Sequence, residues 1–216
     1  MDYLEHKKHF GVAYRTGTDN WTHPPTELEG LKLTERLLSG AKVLDIGSGR
    51  GFFAKHLAEM GFQVIGLDFE KDIVEKANEN IKDWKLENKL QFVEADALAL
   101  PFPDQTFDAV SDFGLFETLY KEDWPVYVEE VNRVLKHGGF YLNVSLSRET
   151  QHFFEFLPKK DMAGEFEKYG IHYHFFEKEE MKNIFVNKFT IISEETAPSH
   201  RKVVLLETLF QKPKQI

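Results

Sequence analysis

The 216-residue chain contains no cysteine. That excludes a disulfide framework, a thiolate metal site and a cysteine nucleophile. No apolar run approaches the roughly 18 residues a bilayer demands, so no transmembrane helix is expected. The opening residues, Met1-Asp2-Tyr3-Leu4-Glu5-His6-Lys7-Lys8-His9, lack the apolar centre of a signal peptide. These absences agree with a cytoplasmic protein and with no membrane partner. Basic residues are also short, 27 against 36 acidic ones, for a formal charge of −9. An acidic surface repels phosphate backbones, which disfavours a nucleic-acid substrate. Repeats, low-complexity tracts and linkers are missing too, and the length suits one α/β domain over 1–216. A homodimer is left open.

What is present is a chain with 42% apolar residues, ample for a core, organised around Val43-Leu44-Asp45-Ile46-Gly47-Ser48-Gly49-Arg50-Gly51. The stretch reads as a buried strand that breaks into a glycine-rich turn and opens a helix at Phe52. Gly47, Gly49 and Gly51 allow positive φ and a close ligand approach. Asp45 sits at the strand's carboxyl end, where open α/β sheets bind ligands. The spacing is G-x-G-x-G behind an acid, not G-x-G-x-x-G. Asp45 would repel a pyrophosphate and suits a cationic or hydroxylic ligand, so a nicotinamide-dependent oxidoreductase is the weaker alternative.

Residues 1–25 are aromatic and polar without a clear period, and read as an N-terminal arm or a flap over a cleft. Tyr14 belongs to it. Thr26 and Glu29 suggest a capping box for a helix running to Leu38. A helix follows over 52–60 and a strand over 63–68, ending in Asp68. A carboxylate there can accept hydrogen bonds from both hydroxyls of a ribose. Ile73, Val74, Ala77, Ile81 and Trp84 form the apolar face of a helix over 70–84. Strands over 90–93 and 107–112 carry Asp96-Ala97 and Asp112 to the same side. Trp124, Val128, Val131 and Leu135 mark a helix over 123–135, with Lys136–Gly139 as its C-cap. A fifth strand covers 140–145. The aromatic-rich stretch 147–176 breaks the alternation and reads as a substrate cover. A short helix over 177–185 and two antiparallel strands over 189–193 and 203–210 complete the pattern.

Val43–Gly51 resembles the first motif of class I S-adenosylmethionine-dependent methyltransferases, where this loop carries the methionine part of the cofactor. Asp96 is similar to the acid that hydrogen-bonds the adenine amino group, with Ala97 beside the ring. Phe107-Asp108 and Val134-Leu135-Lys136-His137-Gly138-Gly139-Phe140 resemble two further family segments, both read as fold determinants. The resemblance implies a Rossmann-like, doubly wound, seven-stranded sheet, mostly parallel with an antiparallel C-terminal strand and helices on both faces. It implies S-adenosylmethionine as cofactor, held by Asp45, Gly47, Ser48, Gly49, Gly51, Asp68, Phe69, Asp96, Ala97 and Asp112, and no metal. Methyl transfer to a small-molecule acceptor would then proceed by in-line displacement. A base is required only if the acceptor must lose a proton. His174, Asp112 and Tyr14 are the candidates, with His172 and His200 behind them. The run His174–Glu180 is similar to tellurite-resistance and thiopurine-type S-methyltransferases, which implies thiol or metalloid acceptors as a minor alternative. A non-catalytic cofactor-binding module, or an RNA or protein acceptor, are the other readings.

Overall fold

The computed structural model describes residues 3–19, 31–150, 164–168, 170–198 and 203–215. Its main sheet has seven strands: β1 (Lys42–Ile46), β2 (Gln63–Asp68), β3 (Leu90–Glu94), β4 (Phe107–Phe113), β5 (Leu135–Leu146), β8 (Thr190–Pro198) and β9 (Val204–Gln211). The spatial order is β3-β2-β1-β4-β5-β9-β8. The neighbours from β3 through β5 pair parallel, while β9 runs antiparallel to both β5 and β8. The sequence-based architecture holds in full.

Central parallel strands are covered on both faces, which is why Val43, Leu44 and Ile46 of β1 are all apolar and buried. Leu44 and Ile46 enter a core shared with α5 (Trp124–Val134) and α6 (Lys178–Phe185). Val43 faces the opposite core, built on α3 (Phe52–Glu59), α4 (Lys71–Trp84) and Leu33 of the short α2 (Leu31–Thr34). Asp45 shares Val43's face because side chains alternate along a strand. Helices therefore lie on both faces of the sheet. The strand order reverses at β1, between β2 and β4, and this opens a crevice at the strands' carboxyl ends.

Four local expectations are corrected. Residues 4–16, read as an irregular arm, form a helix, α1 (Leu4–Thr16), closed by Gly17 in the left-handed conformation. Its buried residues are His6, Gly11 and Ala13, too polar and too small a set to announce a helical stripe. The helix expected to reach Leu38 stops at Thr34 and continues as turns; Thr26 and Glu29 fall outside the described residues. Lys136–Gly139 is no C-cap: Leu135 is already extended after α5, and the four residues belong to β5. Finally, the aromatic cover contains a two-stranded hairpin, β6 (Glu165–Lys168) and β7 (Ile171–His174). Residues 151–163 of that cover lie outside the described ones.

Candidate functional site

A cavity of about 380 Å³ opens in the crevice. One wall comes from the ends of β2 and β3: Leu67, Asp68, Phe69, then Glu94 to Leu98. Leu115, Thr118 and Leu119, from the turn after β4, form a second wall. The third is α1, which contributes Tyr3, His6, Lys7 and Phe10. Of the sequence-predicted residues, Asp68, Phe69, Asp96 and Ala97 line this cavity. The α1 and turn residues were missed. Tyr3, His6, Lys7 and Phe10 do follow an i, i+3, i+4, i+7 spacing, and that was the available signal.

Asp68 is held by the backbone around it. Its Oδ2 accepts the Gly49 N–H at 2.9 Å and its Oδ1 accepts the Glu70 N–H at 3.0 Å. The Phe69 N–H is a third backbone donor to this carboxylate, which still leaves it lone-pair capacity. Asp96 is exposed, and its Oδ1 accepts the Leu98 N–H at 2.8 Å, which turns the residue toward the cavity rim. Phe69 meets Phe10 edge to face, with centroids 6.2 Å apart, and Lys7 Nζ lies 5.7 Å over its ring.

The glycine loop follows β1 beside the cavity and contributes none of its lining residues. Gly47, Gly49 and Gly51 have φ of +73°, +50° and +79°. A Cβ on Gly51 would lie 2.2 Å from the Phe92 ring, and one on Gly47 2.7 Å from Leu115. Both residue identities are thus fixed by space as well as by φ. Ser48 Oγ is buried with no hydrogen-bond partner. Asp45 is 2% exposed and takes the Ser111 hydroxyl at 2.8 Å and the Ala54 N–H near the start of α3.

Three carboxyls, Asp45, Asp68 and Asp112, end three adjacent strands, and burial dominates all of them. Asp45 is pushed up to about 7, by burial first and then by Asp112 and Asp68. Burial raises Asp68 to about 6 against the N–H groups of Glu70 and Gly49. Asp112 also rises to about 6, opposed by the Tyr127 hydroxyl and the Leu115 and Phe116 N–H groups.

Asp112 corrects an expectation: it points into the protein, not toward the cleft. Its oxygens accept from Tyr127 Oη at 2.7 Å, from the Leu115 and Phe116 backbone, and at 3.4 Å from Tyr141 and Asn143. It folds the turn that carries Leu115 and Thr118. His174 is likewise fully buried, on β7, between Trp124 and Phe176, with Nε2 2.9 Å from Glu180 Oε2. It does not line the cavity. His172 donates its backbone N–H to His6 Nε2 at 3.1 Å. Burial, helped by His172 and His9, lowers His6 to about 4, so its imidazole is neutral. Tyr14 stands at the loop, its hydroxyl 2.7 Å from where a Gly49 Cβ would be. His200 is outside the described residues. No group of three or more metal-ligating side chains occurs among the described residues, nor does any helix there have the length and apolarity to cross a membrane.

Residues 43–139 match a family model described as a methyltransferase domain. Over that stretch, a little under half of its length, the chain resembles a methyltransferase domain. It is 34% identical over 134 residues to the ubiquinone/menaquinone biosynthesis C-methyltransferase UbiE of Pseudomonas fluorescens, covering 60% of this chain and 49% of that one. It spans about half the length of the curated relatives it matches first. Among solved structures, a methyltransferase of Methanosarcina mazei superposes with TM-score 0.75 at 20% identity, over 86% of this chain and 98% of the other. So does the 1,6-didemethyltoxoflavin-N1-methyltransferase of Burkholderia thailandensis, solved with its toxoflavin precursor and S-adenosylhomocysteine. Its TM-score is 0.75 at 18% identity, with coverage of 97% and 88%. These two likenesses speak for the fold.

Proposed function

We propose that this methyltransferase binds S-adenosylmethionine in the 380 Å³ cavity and transfers its methyl group to a small-molecule acceptor. The carrying observation is that Asp68, Phe69, Asp96 and Ala97, from two successive strand ends, border one cavity beside the glycine loop. The donor set fits the cofactor. Asp68 would take the ribose hydroxyls on its free lone pairs, and Asp96 the adenine amino group. Phe69, Ala97 and Leu98 would flank the purine from below and α1 from above. Ser48 Oγ has hydrogen-bonding capacity to spare, while the space over Gly47 and Gly49 is taken by Leu115 and the Tyr14 hydroxyl. Asp45 contributes negative potential beneath a cationic ligand rather than a direct contact, because it is 2% exposed.

When bound, the cofactor supplies an electrophilic sulfonium methyl. The chain's share is alignment and the exclusion of water. Tyr3, His6, Phe10 and Leu119 border the cavity with His6 neutral, and Lys7 brings a cation to the lining over the Phe69 ring. Asp112 and His174 take structural roles in this reading, as neither borders the cavity. Tyr14 is a positioning group on the loop.

A small acceptor agrees with the printed names of the relatives, a quinone-pathway C-methyltransferase and a toxoflavin N-methyltransferase. The −9 charge disfavours nucleic acid. We place the chain in the cytoplasm, as one domain with α1 bordering the cleft. Calorimetric titration with S-adenosylhomocysteine tests the core claim. Wild type is expected to bind and Asp68→Asn to bind at least about tenfold more weakly, as a lost charge-assisted pair predicts. No binding by wild type, or equal binding by the variant, overturns the assignment.

A further inference from the structure

Arg50 is the one cation within the glycine loop, and the proposed chemistry does not use it. Its guanidinium is committed to the N-terminal segment instead. Nε donates to Asp19 Oδ2 at 2.6 Å and Nη2 to Asp19 Oδ1 at 2.7 Å, a bidentate pair. Nη2 also donates to the Tyr14 carbonyl at 2.9 Å, in the last turn of α1. The Asp19 side chain is 5% exposed and that of Arg50 26%, so water screens the pair only partly. The guanidinium carbon lies 5.7 Å from the Tyr14 ring centroid.

The rest of α1 is held lightly. Its buried residues are His6, Gly11 and Ala13, while Leu4 and Val12 are 52% and 51% exposed. Tyr3 and Tyr14 pack, half-buried, against the two cores, and few fully buried apolar side chains lie between them. Other ties of α1 include the Tyr3 hydroxyl, which donates to Asp123 at 2.9 Å and accepts from the Tyr120 N–H at 3.0 Å, and the His6–His172 bond. Arg15 reaches Asp72 at 3.3 Å through an exposed pair worth little. The strongest polar tie joins the C-terminal end of α1 directly to the ligand loop.

We propose that Arg50 is a positioning residue, a latch that grips Asp19 and the Tyr14 carbonyl and so holds α1 closed over the cavity. The loop that carries the cofactor thereby also fixes the cofactor's roof. If closure is the binding-competent state, loss of the latch lowers apparent affinity by the fraction of closed molecules lost. Only this affinity effect rests on the proposed cofactor site; the closure itself does not.

Two variants, Arg50→Lys and Asp19→Asn, test it. Lysine keeps the charge but cannot form the fork. Amide hydrogen exchange of the full chain without cofactor reads the latch directly. Both variants are expected to speed exchange in residues 4–16 about tenfold while leaving β1–β5 as in wild type. S-adenosylhomocysteine affinity should fall about tenfold with it. The exchanged pair Asp19→Arg with Arg50→Asp should recover part of both effects. Unchanged exchange in α1, or acceleration spread equally over β1–β5, overturns the latch. Faster exchange in α1 with unchanged affinity overturns the claim that the closed helix roofs the cofactor. A wild-type chain that binds no S-adenosylhomocysteine overturns the cofactor reading instead, and the exchange result still decides the latch.

Discussion

At the strand ends the cavity floor is held by buried, hydrogen-bonded backbone, whereas on the other side α1 is a helix tied down by side chains. Asp68 is fixed by backbone N–H groups, and the loop glycines are fixed by Phe92 and Leu115. Helix α1 relies on Arg50–Asp19, Tyr3–Asp123 and His6–His172. The floor draws its rigidity from the sheet, where each strand's hydrogen bonds and packing support the next. A roof released at a small cost, as proposed for α1, would suit a site that must admit and discharge a ligand.

Substitutions on the two sides sharpen this contrast. The largest effect is expected at Gly51, where alanine would put a Cβ 2.2 Å from Phe92 at a φ of +79°. Combined overpacking and backbone strain should cost about 3 kcal/mol or more in urea unfolding.

The floor's buried carboxyls give the next effect, read as pH dependence. Their folded-state values, about 7 for Asp45 and about 6 for Asp68 and Asp112, lie above the usual aspartate value. A raised value favours folding most below the unfolded pKa near 4 and loses that contribution as pH rises through 6 to 7. The cofactor-free protein should therefore melt lower at pH 8 than at pH 5, by an amount equivalent to a few kcal/mol at most. Asp45→Asn should flatten the profile. A cationic ligand favours the charged carboxylates, so its affinity should rise over the same window.

His174→Ala removes a fully buried ring and its bond to Glu180. About 2 kcal/mol of stability should go, with turnover per folded molecule unchanged; a collapse of kcat at intact folding would restore a catalytic role. On the roof, Phe10→Ala takes one ring from the cavity and from Phe69. Cofactor binding should weaken by about 1 kcal/mol with a melting temperature close to wild type. Lys8→Ala, which breaks an exposed pair with Glu5, should shift stability by less than about 0.5 kcal/mol.

The floor was legible from residues alone. A mostly apolar strand, a glycine turn and acids at successive strand ends leave one topology, because parallel strands need crossover helices and ligands settle where the order reverses. Asp68 and Asp96 could be placed by counting from strand ends. Asp112 could not: alternation says a side chain lies on one face or the other, but Tyr127 and Tyr141 decided that its face was the core. His174 failed for the same reason, since a histidine in an aromatic run looks alike whether it meets a ligand or Trp124.

The sequence by itself determined the sheet, the glycine loop and the character of the ligand, since these depend on local spacing, φ and periodicity. Tertiary structure alone decided that residues 4–16 fold as a helix over the cleft and that Arg50 reaches back to Asp19. Those contacts join residues far apart in the chain, through side chains whose types are common everywhere on a protein surface. Only the folded backbone brings them within hydrogen-bond reach.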